Sequence, residues 1–300
     1  MIRIGTRNSA LALWQAEQVK ATLEEQGNPC RLVLIESEGD KNQHQPLYAM
    51  GIQGIFTKAL DTALLNNSVD IAVHSLKDVP TALPEGIQLA AVLPRGSVSD
   101  VLVFHPEFKG WEATATIGTG SLRRKAQWLK KYPNHRVDNL RGNVQTRLNT
   151  LSKSDWSGAI FAKAGLERLE LMKGSYEVLD WMIPAPAQGA VGIFSLTTNT
   201  SLLSSLKEIQ CETTDFCVSV ERQFLKTLEG GCTAPIGALA FLNGNTLQFK
   251  GGLFHPNGTV SFVLEETLDR NALANPGLYF AEKIDAQGGK DLMIQIKKEM

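Results

Sequence analysis

Apolar positions in the first two thirds of the chain switch between a period of two and the helical period of three to four, the mark of strands alternating with helices. Ile2 to Gly5 and Arg31 to Ile35 read as strands, and between them Ala12, Ala16, Val19 and Leu23 share one helical face. A helix following Gly54 has Phe56, Leu60, Ala63 and Leu64 on its buried stripe, and Asp70 to His74 is a short strand of the fully buried kind. The pattern restarts near Leu93, with strands at Val101 to Phe104, Ile117, Val137 and Ala159 to Ala162. Its helices carry Leu122, Ala126 and Leu129, then Val144, Leu148 and Leu151. Pro184-Ala185-Pro186-Ala187-Gln188-Gly189 breaks this second α/β pattern, and Ala190 to Leu196 reads as a strand returning to the first sheet, which leaves two strands as a hinge.

The last third differs in kind. A helix containing Phe216, Val220, Phe224 and Leu228 ends at Gly230, and alternating strands follow around Ala238 to Leu242, Leu247 to Leu253 and Val260 to Glu266. Asn243-Gly244 and Asn257-Gly258 mark hairpin turns between them, and the residues from Pro276 are helical. The expected fold is therefore two α/β domains joined by a two-strand hinge, plus a small α+β domain with a three-stranded antiparallel sheet. Their boundaries fall at 1–93 with 189–208, 94–188, and 209–300.

Composition narrows the function more by exclusion. With 30 basic against 31 acidic residues in 300, there is no global field to gather a nucleic acid, and no apolar run is long enough to cross a membrane. The start, Met1-Ile2-Arg3-Ile4-Gly5, enters a strand pattern without a charged-then-apolar leader, so a cytoplasmic location is expected. Cys30, Cys211, Cys217 and Cys232 show no paired metal spacing, and the five histidines are scattered, so no metal site is expected.

Chemistry concentrates in two places. Cys232 lies in Glu229-Gly230-Gly231-Cys232-Thr233-Ala234-Pro235, where two glycines bare the approach to a thiol and Pro235 stiffens its exit. Seven of the twelve arginines lie between Arg95 and Arg168, and Arg7, Arg123, Arg124 and Arg141 each follow a strand, where an open α/β sheet binds ligands. Guanidinium forks suit carboxylates, whereas Gly118-Thr119-Gly120-Ser121-Leu122-Arg123 has arginine where a dinucleotide fingerprint needs its third glycine. Asp78 sits in the loop after the Asp70 to His74 strand, beside Lys77, placed either to cap a turn or to stabilise a developing cation.

These residues carry a resemblance. The chain resembles the porphobilinogen deaminase (hydroxymethylbilane synthase) family through Arg3 to Gln15, Asp70 to Pro80, Ser121-Leu122-Arg123-Arg124, Leu140-Arg141-Gly142-Asn143 and Leu228 to Gly237. The resemblance implies a monomeric transferase whose first two domains are like periplasmic binding proteins and whose third presents the cysteine to the cleft. It implies a dipyrromethane cofactor joined to Cys232 by a thioether. Four porphobilinogen molecules are then added head to tail, each losing ammonia, before hydrolysis frees hydroxymethylbilane. Asp78 matches the catalytic carboxylate, which steadies the azafulvene cation formed on ammonia loss. Arg7, Arg123, Arg124, Arg141, Arg147 and Arg168 match cofactor- and substrate-binding arginines, with Ser9, Gln15, Phe56, Ser75, Lys77, Thr119, Ser121 and Gln188 as neighbouring contacts.

Three stretches depart from the family pattern. Gly-Gly-Lys-Gly-Leu-Phe is here Gly51-Ile52-Gln53-Gly54-Ile55-Phe56, Thr-Ser-Ser-Leu-Arg-Arg has Gly120 for its first serine, and Gly-Gln-Gly begins with Ala187. Two other readings compete: a non-catalytic hinged carboxylate-binding protein, which has no use for Cys232, and a thiol hydrolase, for which no histidine is recognisably paired with that thiol.

Overall fold

The run Asp70 to His74, apolar on both faces, does lie inside a sheet. The computed structural model describes residues 1–36, 57–111, 113–228 and 234–299. Phe56, Cys232 and the stretches 51–56 and 229–233 lie outside the described residues. In chain order the strands are β1 (Ile2–Arg7), β2 (Cys30–Ile35), β3 (Ile71–Ser75), β4 (Ile87–Val92), β5 (Asp100–Phe104), β6 (Thr116–Gly118), β7 (Arg136–Asp138), β8 (Gly158–Ala162), β9 (Tyr176–Val178), β10 (Val191–Leu196), β11 (Ile236–Asn243), β12 (Thr246–Phe254) and β13 (Ser261–Asp269). The helices are α1 (Ala10–Glu25), α2 (Lys58–Leu65), α3 (Leu122–Lys131), α4 (Val144–Leu151), α5 (Lys163–Arg168), α6 (Thr200–Glu208), α7 (Glu212–Thr227), α8 (Pro276–Ala286) and α9 (Gly289–Glu299).

The chain divides into two compact units. The first takes the described residues up to Gly96 together with Gly189–Phe216. Its sheet has the order β2-β1-β3-β10-β4, with β1 parallel to β2 and β3, and β10 antiparallel to both its neighbours. The strand at Ala190 to Leu196 thus returns, as its pattern predicts, to the interior of the first sheet. Ile4, Val19, Leu23, Ile71, Val73 and Ile193 are buried in one cluster, so α1 covers a face made of strands from both ends of the unit. Where the chain leaves and re-enters, the Gly96 N–H donates to the Gly189 carbonyl at 3.1 Å.

The second unit, Ser97–Gln188 with the described residues from Cys217 on, holds two sheets. One has the order β7-β6-β8-β5-β9, with β5 antiparallel to β8 and β9 and β6 parallel to β7 and β8. The other is the antiparallel β11-β12-β13 sheet read from the sequence. Ala126 of α3, Ile183 and Phe254 of β12 pack together where they meet. The β12–β13 turn sits against α3 closely enough that a Cβ on Gly258, whose φ is +80°, would come within 2.5 Å of the Lys130 backbone nitrogen. Only glycine tolerates both that angle and that approach.

Helix α3 corrects one expectation. Its period places Leu122, Ala126 and Leu129 on the buried face, yet of these only Ala126 is buried, and the interior instead receives Arg123, Arg124, Gln127 and Trp128. Two arginines turn inward because a buried carboxylate waits for them.

Candidate functional site

In the first unit the sequence-derived residues gather at the carboxyl ends of the adjacent strands β1 and β3. Arg7 ends β1, and Ser9 caps α1, its hydroxyl accepting from the Ala12 N–H at 3.3 Å. One turn along α1, Gln15 is 2 % exposed and donates from Nε2 to Ser75 Oγ at 2.8 Å, locking the helix to the last residue of β3. The backbone then makes a single tight 3-10 turn, Leu76–Asp78, held by the Leu76 N–H to the Ala190 carbonyl at 3.0 Å. That turn leaves Lys77 half-buried and Asp78 exposed. His74, next to Ser75, is buried edge-on against Phe194. Burial, with a smaller effect from the Arg7 charge, pushes its imidazole down to about 3, so it is neutral at physiological pH.

In the second unit Thr119 is buried at the end of β6, and its hydroxyl accepts from the Ser121 N–H at 3.3 Å. Ser121 caps α3 by accepting from the Arg124 N–H at 3.4 Å. The two arginines that follow are 3 % and 5 % exposed, and both turn to Asp100 at the start of β5, itself fully buried. Arg123 Nη1 donates to Asp100 Oδ2 at 2.8 Å and to the Ile183 carbonyl at 2.7 Å. Arg124 donates from Nε to Asp100 Oδ1 at 3.0 Å and from Nη1 to the Ile160 carbonyl at 2.9 Å, with Nη2 2.8 Å from Oδ1. Gln188 joins them, its Nε2 reaching Asp100 Oδ1 at 3.1 Å and the Val98 carbonyl at 2.7 Å. Three residues, two of them adjacent and the third far along the chain, thus share one buried carboxylate.

The remaining arginines are less committed to one another. Arg147 in α4 donates from Nε to the Gly142 carbonyl at 2.7 Å. Arg141 is half-buried, and its buried Nε has no hydrogen-bond partner among the described residues. Burial lowers its basicity, as it does that of Arg168 at the end of α5, where Glu167 works against the shift. Arg123 also keeps a buried Nε with no partner among the described residues, and burial outweighs Asp100 in pulling its basicity down. Unsatisfied guanidinium N–H groups away from water are costly unless an anion meets them.

The sequence reading missed Asp100, Gln127 and Glu221. Asp100 stands just before an apolar strand and looks like a turn residue. Gln127 brackets Ile183 by accepting from its N–H at 2.8 Å and donating to its carbonyl at 2.9 Å. Glu221, fully buried in α7, accepts from the Ala187 N–H at 2.6 Å and the Ala240 N–H at 2.8 Å. Two departures from the family pattern have a local basis. A Cβ on Gly120 would lie 2.7 Å from the Leu140 carbonyl oxygen, so the loop leading to Arg141 packs where a serine side chain would stand. Ala187 has φ +60°, the left-handed region that glycine occupies freely.

The first unit thus presents an exposed carboxylate at a sheet end, and the second, taken by itself, a buried arginine cluster around one carboxylate. The profile described as "Porphobilinogen deaminase, dipyromethane cofactor binding domain" matches residues 2–204, and "Porphobilinogen deaminase, C-terminal domain" matches 216–285. The chain is 40% identical to the chloroplastic porphobilinogen deaminase of Oryza sativa, over 96% of this chain and 84% of that protein. It is 39% identical to porphobilinogen deaminase of Helicobacter hepaticus over 98% and 95% of the two chains, and 36% identical to that of Maridesulfovibrio salexigens over 98% of each. Among solved structures the VFT2 domain of Bordetella pertussis BvgS aligns at 11% identity and a TM-score of 0.43, over 74% of this chain and 91% of that one. The chain belongs to the porphobilinogen deaminase family, and with it to the dipyrromethane-dependent transferases of tetrapyrrole biosynthesis. Among the described residues no helix is long and apolar enough to cross a membrane.

Proposed function

We propose that this chain anchors dipyrromethane through a thioether to Cys232, and that on this primer it joins four porphobilinogen molecules with loss of ammonia and releases hydroxymethylbilane by hydrolysis. The cofactor supplies a nucleophilic pyrrole carbon as the first acceptor. Asp78 holds the pyrrole N–H and manages the proton at each coupling, its exposed position on the tight turn after β3 leaving the carboxylate open to substrate. Arg7, Arg123, Arg124, Arg141, Arg147 and Arg168 neutralise the two carboxylates that each pyrrole brings, with Ser9, Gln15, Phe56, Ser75, Lys77, Thr119, Ser121 and Gln188 completing the polar surroundings. The observation that supports this reading is the pair of buried nitrogens, Arg123 Nε and Arg141 Nε, that find no partner among the described residues and suit a polycarboxylate ligand. The enzyme works as a cytoplasmic monomer with no nucleic-acid or membrane partner, in three domains, 1–93 with 189–208, 94–188, and 209–300, the first two joined by a two-strand hinge.

Intact mass spectrometry tests it. Purified protein should exceed its sequence mass by one dipyrromethane, with the increment on the peptide containing Cys232. Asp78→Asn should keep that increment while turnover falls at least about a hundredfold, the range for loss of an acid–base group. An unmodified thiol in active enzyme, or undiminished turnover in Asp78→Asn, overturns the assignment.

A further inference from the structure

Two arginine-bearing loops leave neighbouring strands side by side in the second unit. Strands β6 and β7 are parallel with Gly118 opposite Asp138, and the pairing runs past both strand ends, the Thr119 N–H donating to the Asp138 carbonyl at 2.9 Å. Just beyond, Gly120 of the β6–α3 loop meets Leu140 of the β7–α4 loop. A Cβ on Gly120 would stand 2.7 Å from the Leu140 carbonyl oxygen and 3.2 Å from Asn139 Oδ1, the first of them under the 3.0 Å that real Cβ atoms keep. Gly120 does not take a positive φ, so what this contact uses is its missing side chain and not its backbone freedom.

The two loops are not equally free to give way. On the β6 side Thr119 is buried, its hydroxyl accepts from the Ser121 N–H, and Ser121 caps α3, which Asp100 holds through Arg123 and Arg124. On the β7 side the Leu140 side chain is buried in a cluster with Leu151, Trp156 and Ala159, and Arg147 holds the Gly142 carbonyl at 2.7 Å. Between those two anchors lies the Leu140–Arg141 peptide, with Gly142 at φ +98° beside it. Because a peptide unit is planar, pushing the Leu140 oxygen away turns the plane that ends at the Arg141 Cα and re-aims that side chain.

We propose that Gly120 is a positioning residue for Arg141: its bare Cα lets the β7–α4 loop close on the β6–α3 loop and so sets where the Arg141 guanidinium stands. This rests on the reading that Arg141 receives a carboxylate of the cofactor or growing chain. The Arg141 Nε, buried and without a partner among the described residues, is the donor whose aim depends on the closure. Serine, the residue of the family pattern, would have to lengthen the 2.7 Å approach to 3.0 Å or more. This chain thus holds Arg141 by a contact that the usual residue would break.

A double-mutant cycle separates positioning from plain packing. The quantity read is kcat/KM for porphobilinogen per mole of chain, which falls with poorer cofactor loading and with poorer substrate capture alike. Arg141→Gln should lower it at least about tenfold, as loss of a charged hydrogen bond does. Gly120→Ala should lower it about three- to tenfold through misplacement, yet cost less than about twofold more once Arg141→Gln is present. Its packing cost, a Tm lower by about 2–6 °C, should be the same in both backgrounds. Gly120→Ser should do no better than Gly120→Ala, because the clash is at Cβ. In 15N spectra the Arg141 Nε–H signal should move in Gly120→Ala while those of Arg123 and Arg124 stay. Parental kcat/KM in Gly120→Ala, the same fold loss with and without Arg141, a Gly120→Ser as active as the parent, or an unmoved Arg141 signal overturns the proposal. If instead Arg141→Gln keeps parental kcat/KM, the reading of Arg141 as a ligand group fails, and the Nε–H signal still decides whether Gly120 positions it.

Discussion

His74 stands next to the residues that end β3 and yet is built to take no proton. Its pKa falls from the ordinary 6.5 to about 3, first through burial and then through Arg7. The unfolded chain binds this proton below pH 6.5 and the folded one does not until about pH 3, so lowering the pH through that window favours unfolding. Each pH unit there costs at most about 1.4 kcal/mol. Denaturant titrations at pH 4 and pH 7 should therefore show a smaller acid-induced loss in His74→Gln than in the parent; equal losses would exclude His74 as the cause. Ala187 poses a different single-residue problem. Its left-handed angle costs about 1–2 kcal/mol, but glycine would give up a buried methyl worth about 0.8 and add roughly 0.5–1 of chain entropy to the unfolded state. Ala187→Gly should therefore lie within about 1 kcal/mol of the parent by chemical denaturation, which is how this chain tolerates alanine where the family carries glycine. Ala187→Val, branched and in the same angle, should lose more than about 2 kcal/mol.

At the scale of elements, legibility followed the source of each element's stability. Helix α1 was readable because Ala16, Val19 and Leu23 bury at helical spacing, and the β11–β12 and β12–β13 hairpins because Gly244 and Gly258 take the positive φ that such turns use. Strand β4 went unread because Ile87 to Val92 does not alternate and contains the poor strand formers Ala90 and Ala91. Helix α6 was missed because four Ser and Thr residues dilute a face on which only Leu202 and Leu206 are buried. The buried face of α3 could not be read at all, since its polarity makes sense only once Asp100, more than twenty residues upstream, is in place. The arginines themselves were legible by their position after strands, but not the carboxylate between them. Glu221 was invisible for a related reason: its described partners are backbone N–H groups of Ala187 and Ala240, which carry no side-chain signal. That glutamate ties α7 to β11, the elements that flank the segment holding Cys232. Glu221→Ala should strand both donors, each costing about 1–3 kcal/mol, and so lower stability by roughly 2–6 kcal/mol in a denaturant titration; a loss under 1 kcal/mol would remove it as a strut.

For the whole molecule, a site that concentrates guanidiniums is under electrostatic tension until its anions arrive. A ligand held only by the native state stabilises that state, and a covalent one cannot be diluted away. If dipyrromethane is anchored to Cys232 as proposed, Cys232→Ser protein should melt at least about 5 °C below the holoenzyme, near 2 kcal/mol for a chain of this size, with the gap narrowing in low-millimolar di- or tricarboxylate buffers. Equal melting temperatures would mean that the arginines are already balanced without the cofactor.

The path of the first sheet also sets a schedule for the ribosome. Strand β10 lies between β3 and β4, so until Val191–Leu196 has been made β4 has no neighbour and β3 keeps one bare edge. Nearly two hundred residues must be synthesised before that gap closes, a wait during which an unpaired apolar strand invites aggregation or a chaperone. Nascent chains stalled before residue 191 should therefore be far more protease-sensitive across Ile71–Val92 than chains stalled after residue 240.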